Sequence, residues 1–218
     1  MTSPIRVAVD TVIFTIKDGE LQTLLIQMKK QPFTHRWAFP GGLIEATETS
    51  SEAAIRFLNE QTGLPGKYLE QLKTFDDPAR DPLGRVISIA YFALVSFDGS
   101  KLHTNDKYAD VRWWPVKHLP ELAYDHSEIA KTALERLRSK LEYTNIIWSL
   151  LPDEFTLAEL QEVYECILTT TFDKRNFRKK ILSLKIIKPL AHKQRQGSHR
   201  PAQLYRFITR SLKQVDIL

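Results

Sequence analysis

Residues 42–64, GLIEATETSSEAAIRFLNEQTGL, decide the fold. Positions 48–62 carry helical spacing, with Ala53, Ala54, Phe57 and Leu58 as apolar members and Ile55 as a further candidate. Gly63 stands where a glycine commonly ends a helix, because it enters the left-handed region without a Cβ clash. Upstream, RWAFPGG (36–42) reads as a short strand breaking into a Gly-Gly turn. Before it, the apolar runs IRVAVDTVIFTI (5–16) and LQTLLIQM (21–28) flank Lys17-Asp18-Gly19-Glu20, and Asp-Gly between such runs signals a hairpin. Downstream, strands are predicted at 69–75, at 86–97 closed by Asp98-Gly99-Ser100, and around DVRWWPV (110–116). The stretch SEIAKTALERLRSKL (127–141) is an amphipathic helix. Strands, one helix, strands again and a closing helix predict a mixed α/β domain over residues 1–142.

From Tyr143 the character changes. YTNIIWSLL reads as a short helix stopped by Leu151-Pro152. In FTLAELQEVYECIL, Thr156 and Glu159 have capping-box spacing, and Leu157, Leu160, Val163, Tyr164, Ile167 and Leu168 follow helical period. A turn at 169–172 leads to Asp173, the N-cap expected for KRNFRKKILSL, with Phe177, Ile181, Leu182 and Leu184 on its apolar side. Two short strands, IIKPL and AQLYRFI, flank the basic tip AHKQRQGSHRP. Three helices and a basic-tipped hairpin predict a winged helix-turn-helix over residues 143–218.

The chain has 218 residues, 43% apolar and 26% charged, which excludes a disordered or fibrous protein. One cysteine, Cys166, excludes an internal disulfide framework and a Cys-rich zinc site. No secretory leader pattern opens the sequence, and its longest apolar run, VISIAYFALVSF, is too short to span a bilayer as a helix. A soluble, cytoplasmic protein is expected. The charge is unevenly divided: residues 143–218 hold 13 Lys and Arg against 7 Asp and Glu, whereas residues 1–142 hold 18 against 19. A neutral front and a basic tail suggest two tasks, the second facing a polyanion; a basic surface with no partner is the plain alternative.

The opening stretch resembles the Nudix motif, G-x5-E-x7-R-E-U-x-E-E-x-G-U with U bulky and aliphatic: Gly42, Glu48, Arg56, Leu58, Glu60, Gly63 and Leu64 occupy their slots. The resemblance implies a Nudix fold, and Mg²⁺-dependent cleavage of a pyrophosphate where three acidic slots on the helix hold the ions. Those slots here hold Phe57, Glu60 and Gln61. Phenylalanine offers no oxygen, and glutamine one neutral carbonyl, a weak ligand for a hard cation. Glu45 and Glu52 stand outside the ligand slots, and Glu48 with Arg56 reads as a structural pair. Neither metal binding nor hydrolysis is therefore expected, and no cofactor is required. The segment TFDDPARDPLGRVISIAYFAL resembles the corresponding stretch of Nudix proteins that handle ADP-ribose. It makes Arg80 and Arg85 candidates to grip phosphate or ribose with guanidinium forks, and Arg36, just before the Trp37 strand, is a further candidate placed to reach the same cleft. Glu60 remains a ligand-facing candidate; Trp37 reads equally as core or adenine platform, and Asp81 as a ligand contact or a turn residue.

In a helix-turn-helix the N-terminal residues of the second helix meet base edges. Phe177 and Ile181 facing the core turn Lys174, Arg175, Arg178 and Lys179 outward, with Arg175 and Arg178 as readers of guanine and Asn176 of adenine. Lys179 and Lys180 are assigned to phosphates, and Lys193, Arg195, His199 and Arg200 of the wing to backbone or minor groove. With this end included, the whole chain resembles the Nudix-related transcriptional regulators of NAD metabolism, NrtR, through FTLAELQ, DKRNFRKK and RPAQLYRF. That resemblance implies a homodimeric repressor of NAD biosynthesis or salvage genes, bound to a palindromic operator and released by ADP-ribose. The alternatives are an active Nudix hydrolase with a basic nucleic-acid-binding appendage, and an architectural DNA binder without a ligand.

Overall fold

The computed structural model describes residues 4–63, 66, 68–97, 99, 102, 106–194, 201–215 and 217, apart from the side chains of residues 61, 62, 193 and 194. The chain divides into two compact units, Met1–Thr15 with Leu21–Arg136, and Ile16–Glu20 with Leu137–Leu218. Among the described residues no helix is long and apolar enough to cross a membrane.

The first unit is built on β1 (Arg6–Lys17), β2 (Glu20–Met28), β3 (Trp37–Ala38), β4 (Gly41–Leu43), α1 (Ser50–Thr62), β5 (Tyr68–Phe75), β6 (Val86–Leu94), β7 (Tyr108–Pro115) and the start of α2 (His126–Tyr143). Among the described residues the sheet has seven strands, five in the order β3-β2-β1-β6-β5, with β4 paired to β1 and β7 to β2. β1 and β6 run parallel from Arg6↔Val86 to Phe14↔Leu94. A parallel central strand is covered on both faces, which explains why β1 is buried without interruption from Ala8 to Thr15. Gly41 permits the crossing of β4 over β1, since a Cβ there would collide with the Val9 carbonyl oxygen.

α1 begins at Thr49, whose side chain and that of Glu52 form a reciprocal capping box, and ends at Gly63 with φ 64°. Ala53, Ala54 and Phe57 pack on Val9 and Tyr91, while Leu58 joins the neighbouring cluster around Ile13, Leu24 and Ile26. Ile55, a candidate for the apolar side, is exposed because it lies on the far side of the helix from Ala53 and Phe57. The stretch 36–42 forms two short strands instead of one, and the strand predicted over 86–97 ends at Leu94.

The second unit contains the rest of α2, a 3-10 turn at Ile146–Ser149 in place of the short helix expected there, β8 (Phe155–Thr156), α3 (Leu157–Leu168), α4 (Lys174–Ser183), β9 (Ile187–Gln194) and β10 (Ala202–Phe207). The strands pair in the order β8-β10-β9, and two-residue β8 is an addition to the expected elements. Thr156 forms the expected capping box, with Thr156 N–H donating to Glu159 Oε2 at 2.7 Å. Tyr164 is fully buried edge-on to Phe177 at 5.6 Å between ring centroids. Leu182, assigned to the apolar side, is partly exposed, and Leu184 is half-buried. The C-terminal segment returns to the end of α2, where Asn145 accepts from Lys213 N–H and donates to the Ser211 carbonyl.

The Tyr164 hydroxyl is buried with no hydrogen-bond partner among the described residues. An unsatisfied buried hydroxyl costs about 1–3 kcal/mol, so Tyr164→Phe is expected to raise stability. Thr156→Ala removes a working cap and is expected to lower stability by about 1 kcal/mol. Urea midpoints moving in opposite directions at unchanged slope would verify both.

Candidate functional site

An acid interrupts the apolar run of β1. Asp10 is buried, and it accepts a hydrogen bond from Ser88 Oγ at 2.6 Å and another from Arg80 Nη2 at 3.1 Å. His126 Nε2 lies 3.4 Å from Asp10 Oδ1. The other ring nitrogen, Nδ1, accepts from the Phe39 N–H at 2.9 Å, which places the ring proton on Nε2, towards Asp10. Arg80 also donates through Nε and Nη2 to Asp125, at 2.9 and 2.7 Å. Burial pushes the Asp10 carboxyl up, but the facing His126, its hydrogen bond, the Ser88 hydroxyl and Arg80 together bring it down to about 2.

Asp10, Arg80 and His126 of this cluster line a cleft of about 230 Å³. Arg6, Gly42, Asp81, Lys107, Tyr108 and Tyr124 line it as well. The Tyr108 hydroxyl donates to the Gly41 carbonyl at 3.3 Å, and burial pushes that phenol up. Tyr124 is tilted against Phe33, which lies outside the cleft lining, at 4.3 Å between centroids.

The box helix is arranged around Arg56. Its Nε and Nη2 fork the Glu48 carboxylate at 3.0 and 2.5 Å, and Nη1 lies 3.5 Å from Glu60. The Glu48 hydrogen bonds hold the guanidinium pKa above its usual value and the Glu48 carboxyl below its own. Phe57 is buried, its ring near Gly42, with Arg56 over it at 4.2 Å and Lys107 Nζ at 5.6 Å. Among the described residues no three His, Cys, Asp or Glu side chains converge as metal ligands.

The candidates named from sequence are only partly brought together. Arg80 and Asp81 line the cleft. Arg80, however, is directed at Asp10 and Asp125 and does not present an open fork to a ligand, because one buried and one half-buried carboxylate share its charge. Asp81 also accepts from the Leu83 N–H at 2.8 Å, so it is a turn residue as well. Trp37 is buried edge-on to Trp114 and does not line the cleft. Arg36 pairs with Glu121 at 2.7 Å, and Arg85 donates to the Asp76 carbonyl; neither lines the cleft, nor does Glu60.

In the second unit, α4 presents Lys174, Arg175, Asn176, Arg178, Lys179 and Lys180 to solvent, while Phe177 and Ile181 are buried. Asp173 caps it by accepting from Asn176 N–H at 2.9 Å. Side chains also hold the turn before α4: Glu165 accepts from Phe172 N–H at 2.8 Å and from Gln161 Nε2 at 2.7 Å, and Gln161 donates to the Phe172 carbonyl. In the wing, His192 lies 2.7 Å from Glu154. The Lys193 side chain, Arg195, His199 and Arg200 lie outside what the structure describes.

Residues 147–207 match the NrtR DNA-binding winged helix domain, and residues 4–137 the NUDIX domain. The ADPR responsive transcriptional repressor NtrR of Acinetobacter baylyi is 35% identical over 204 residues, covering 91% of this chain and 80% of that protein. The chain belongs to the NrtR family. Shewanella oneidensis NrtR, crystallised with a 27mer DNA, is 32% identical with a TM-score of 0.79, over 92% of this chain and 93% of that one. The NUDIX domain of the same protein, crystallised with ADP ribose, is 35% identical with a TM-score of 0.56, over 62% of this chain and 90% of that one.

Sequence reasoning missed the residues that build this family member's cleft: Asp10, Asp125, His126, Lys107, Tyr108 and Tyr124. Asp10 was the visible signal, since an acid inside a run of buried β-branched residues needs partners.

Asp10 sits below its ordinary value of 3.8, so its ionisation stabilises the fold above that pH, and the contribution is lost as pH falls to about 2. The wild type should lose about 2 kcal/mol more over this window than Asp10→Asn, read from urea unfolding at successive pH values. Arg80→Met, which strands two carboxylates, should cost about 3–5 kcal/mol near neutrality.

Proposed function

We propose that this chain is a transcriptional repressor of NAD biosynthesis or salvage genes, acting as a homodimer on a palindromic operator and released by ADP-ribose. Residues 1–142 would bind the effector and dimerise, and residues 143–218 would read DNA. One observation carries the reading: a single chain joins a Nudix cleft, its box altered at Phe57 and Gln61, to a winged helix with five cations along α4. The DNA-bound relative matches over nearly the full length of this chain, and the ADP ribose-bound NUDIX domain over 62% of it; with the ADPR responsive repressor they support the reading and its effector.

Hydrolysis is not part of this function. Magnesium needs near-octahedral oxygen coordination, usually through carboxylates. Phe57 supplies carbon in one slot, and Glu60 faces Arg56 in another. Incubation with ADP-ribose and Mg²⁺ is expected to release no AMP at a useful rate.

For ADP-ribose to release DNA it must bind better to the dimer that cannot engage the operator, and by reciprocity the operator must weaken ADP-ribose binding by the same factor. Titrating ADP-ribose with and without operator is expected to show a coupling of about 1–3 kcal/mol; equal affinities would rule the switch out. On the DNA side, Arg178→Ala should reduce discrimination between operator and random DNA by about 1–3 kcal/mol. Lys180→Ala should weaken both alike and flatten the salt dependence. The reverse pattern would mean that α4 meets the groove by a different face.

A further inference from the structure

Lys107 occupies a place that the established activity of a Nudix box does not use. It directly precedes β7 and lines the cleft. Its Nζ stands 5.6 Å from the Phe57 ring centroid and 5.3 Å from that of Tyr108. The same nitrogen lies 3.4 Å from where a Cβ on Gly42 would be, so it borders the glycine backbone that opens the box. An ammonium therefore lies beside the aromatic ring that stands in a metal-ligand slot.

We infer that Lys107 is the cation that receives the diphosphate of the cleft's ligand, in place of a metal ion on the box helix. The inference rests on the proposed ADP-ribose reading and deepens it. A compact ammonium with three donors suits phosphate oxygens as a point charge. The Phe57 and Tyr108 rings give it an attractive, weakly hydrating bed. Glu60 acts on it as an opposite charge and Arg56 and Lys30 as like charges, and an incoming anion relieves the like-charge repulsion. Burial and those cations already push its pKa down, and a bound diphosphate reverses that balance. A hydrolase recruits its cation from solution, whereas here the cation is part of the chain and ligand binding needs no metal. The change from carboxylate to Phe57 and the presence of Lys107 are then two halves of one arrangement, one removing the acid that would hold a metal and the other supplying the charge.

Calorimetric titration of the full chain with ADP-ribose, in EDTA and in Mg²⁺, tests this on the wild type, K107M and K107R. Lys107 is only partly buried and keeps an exposed surface, so the substitutions leave the fold intact, which an unchanged melting temperature checks. The expected result is wild-type binding equal in EDTA and Mg²⁺, at least a tenfold loss in K107M, and retention of most affinity in K107R. Undiminished binding by K107M, or wild-type binding that requires Mg²⁺, overturns the inference while leaving the ADP-ribose reading in place. Absence of binding by the wild type under both conditions overturns the ligand reading and this inference with it.

Discussion

A single buried carboxylate organises the first unit. Asp10 lies in the middle of the central strand, paired in register with Gly41 of β4 and Ala90 of β6. An ionised acid there is tolerable only if the surrounding chain supplies compensating charge and donors. Arg80 comes from the loop between β5 and β6, Ser88 from β6, and His126 from the first turn of α2. His126 in turn receives the Phe39 N–H from between β3 and β4, and Asp125 completes the charge of Arg80. Four separate segments are thereby located by one side chain, and the cleft is the space they enclose.

The Nudix box was legible because its information is local. Gly42, Glu48, Arg56 and Gly63 lie within one turn and one helix, and the Arg56–Glu48 fork is the contact that their spacing implied. The capping boxes at Thr49 and Thr156 are local in the same way, and the second was read directly from its sequence. The cleft was not legible, because its members are distant in sequence. Arg80 is 70 positions from Asp10, and no short pattern announces that they meet. The resemblance of this segment to ADP-ribose-handling proteins suggested phosphate or ribose contacts, while the fold engages Arg80 with Asp10 and Asp125 and Arg85 with a backbone carbonyl, uses that sequence does not distinguish. Trp37 was ambiguous between core and platform, and no spacing announced its burial against Trp114. Two-residue β8 was too short to carry any alternation.

The two units manage charge by opposite means. In the first, the two arginines of the cleft and box are matched to acids, Arg80 to Asp10 and Asp125, Arg56 to Glu48. In the second, α4 contains no acid at all within Lys174–Ser183, and its cations point outward. Matched charge gives a rigid, shaped cavity suited to a small ligand; unmatched charge gives a field suited to a polyanion. The division visible in the composition is thus a division of electrostatic strategy.

The clamp formed by Glu165, Gln161 and Phe172 has a kinetic meaning. Short connections between helices ordinarily sample several conformations, and each must be narrowed when a partner is engaged. Here the angle at which α4 leaves α3 is already selected by three side-chain hydrogen bonds and the Asp173 cap. In the proposed DNA-reading role, α4 would meet a groove with its angle already set. Selectivity would then be expressed chiefly in how long a complex lasts.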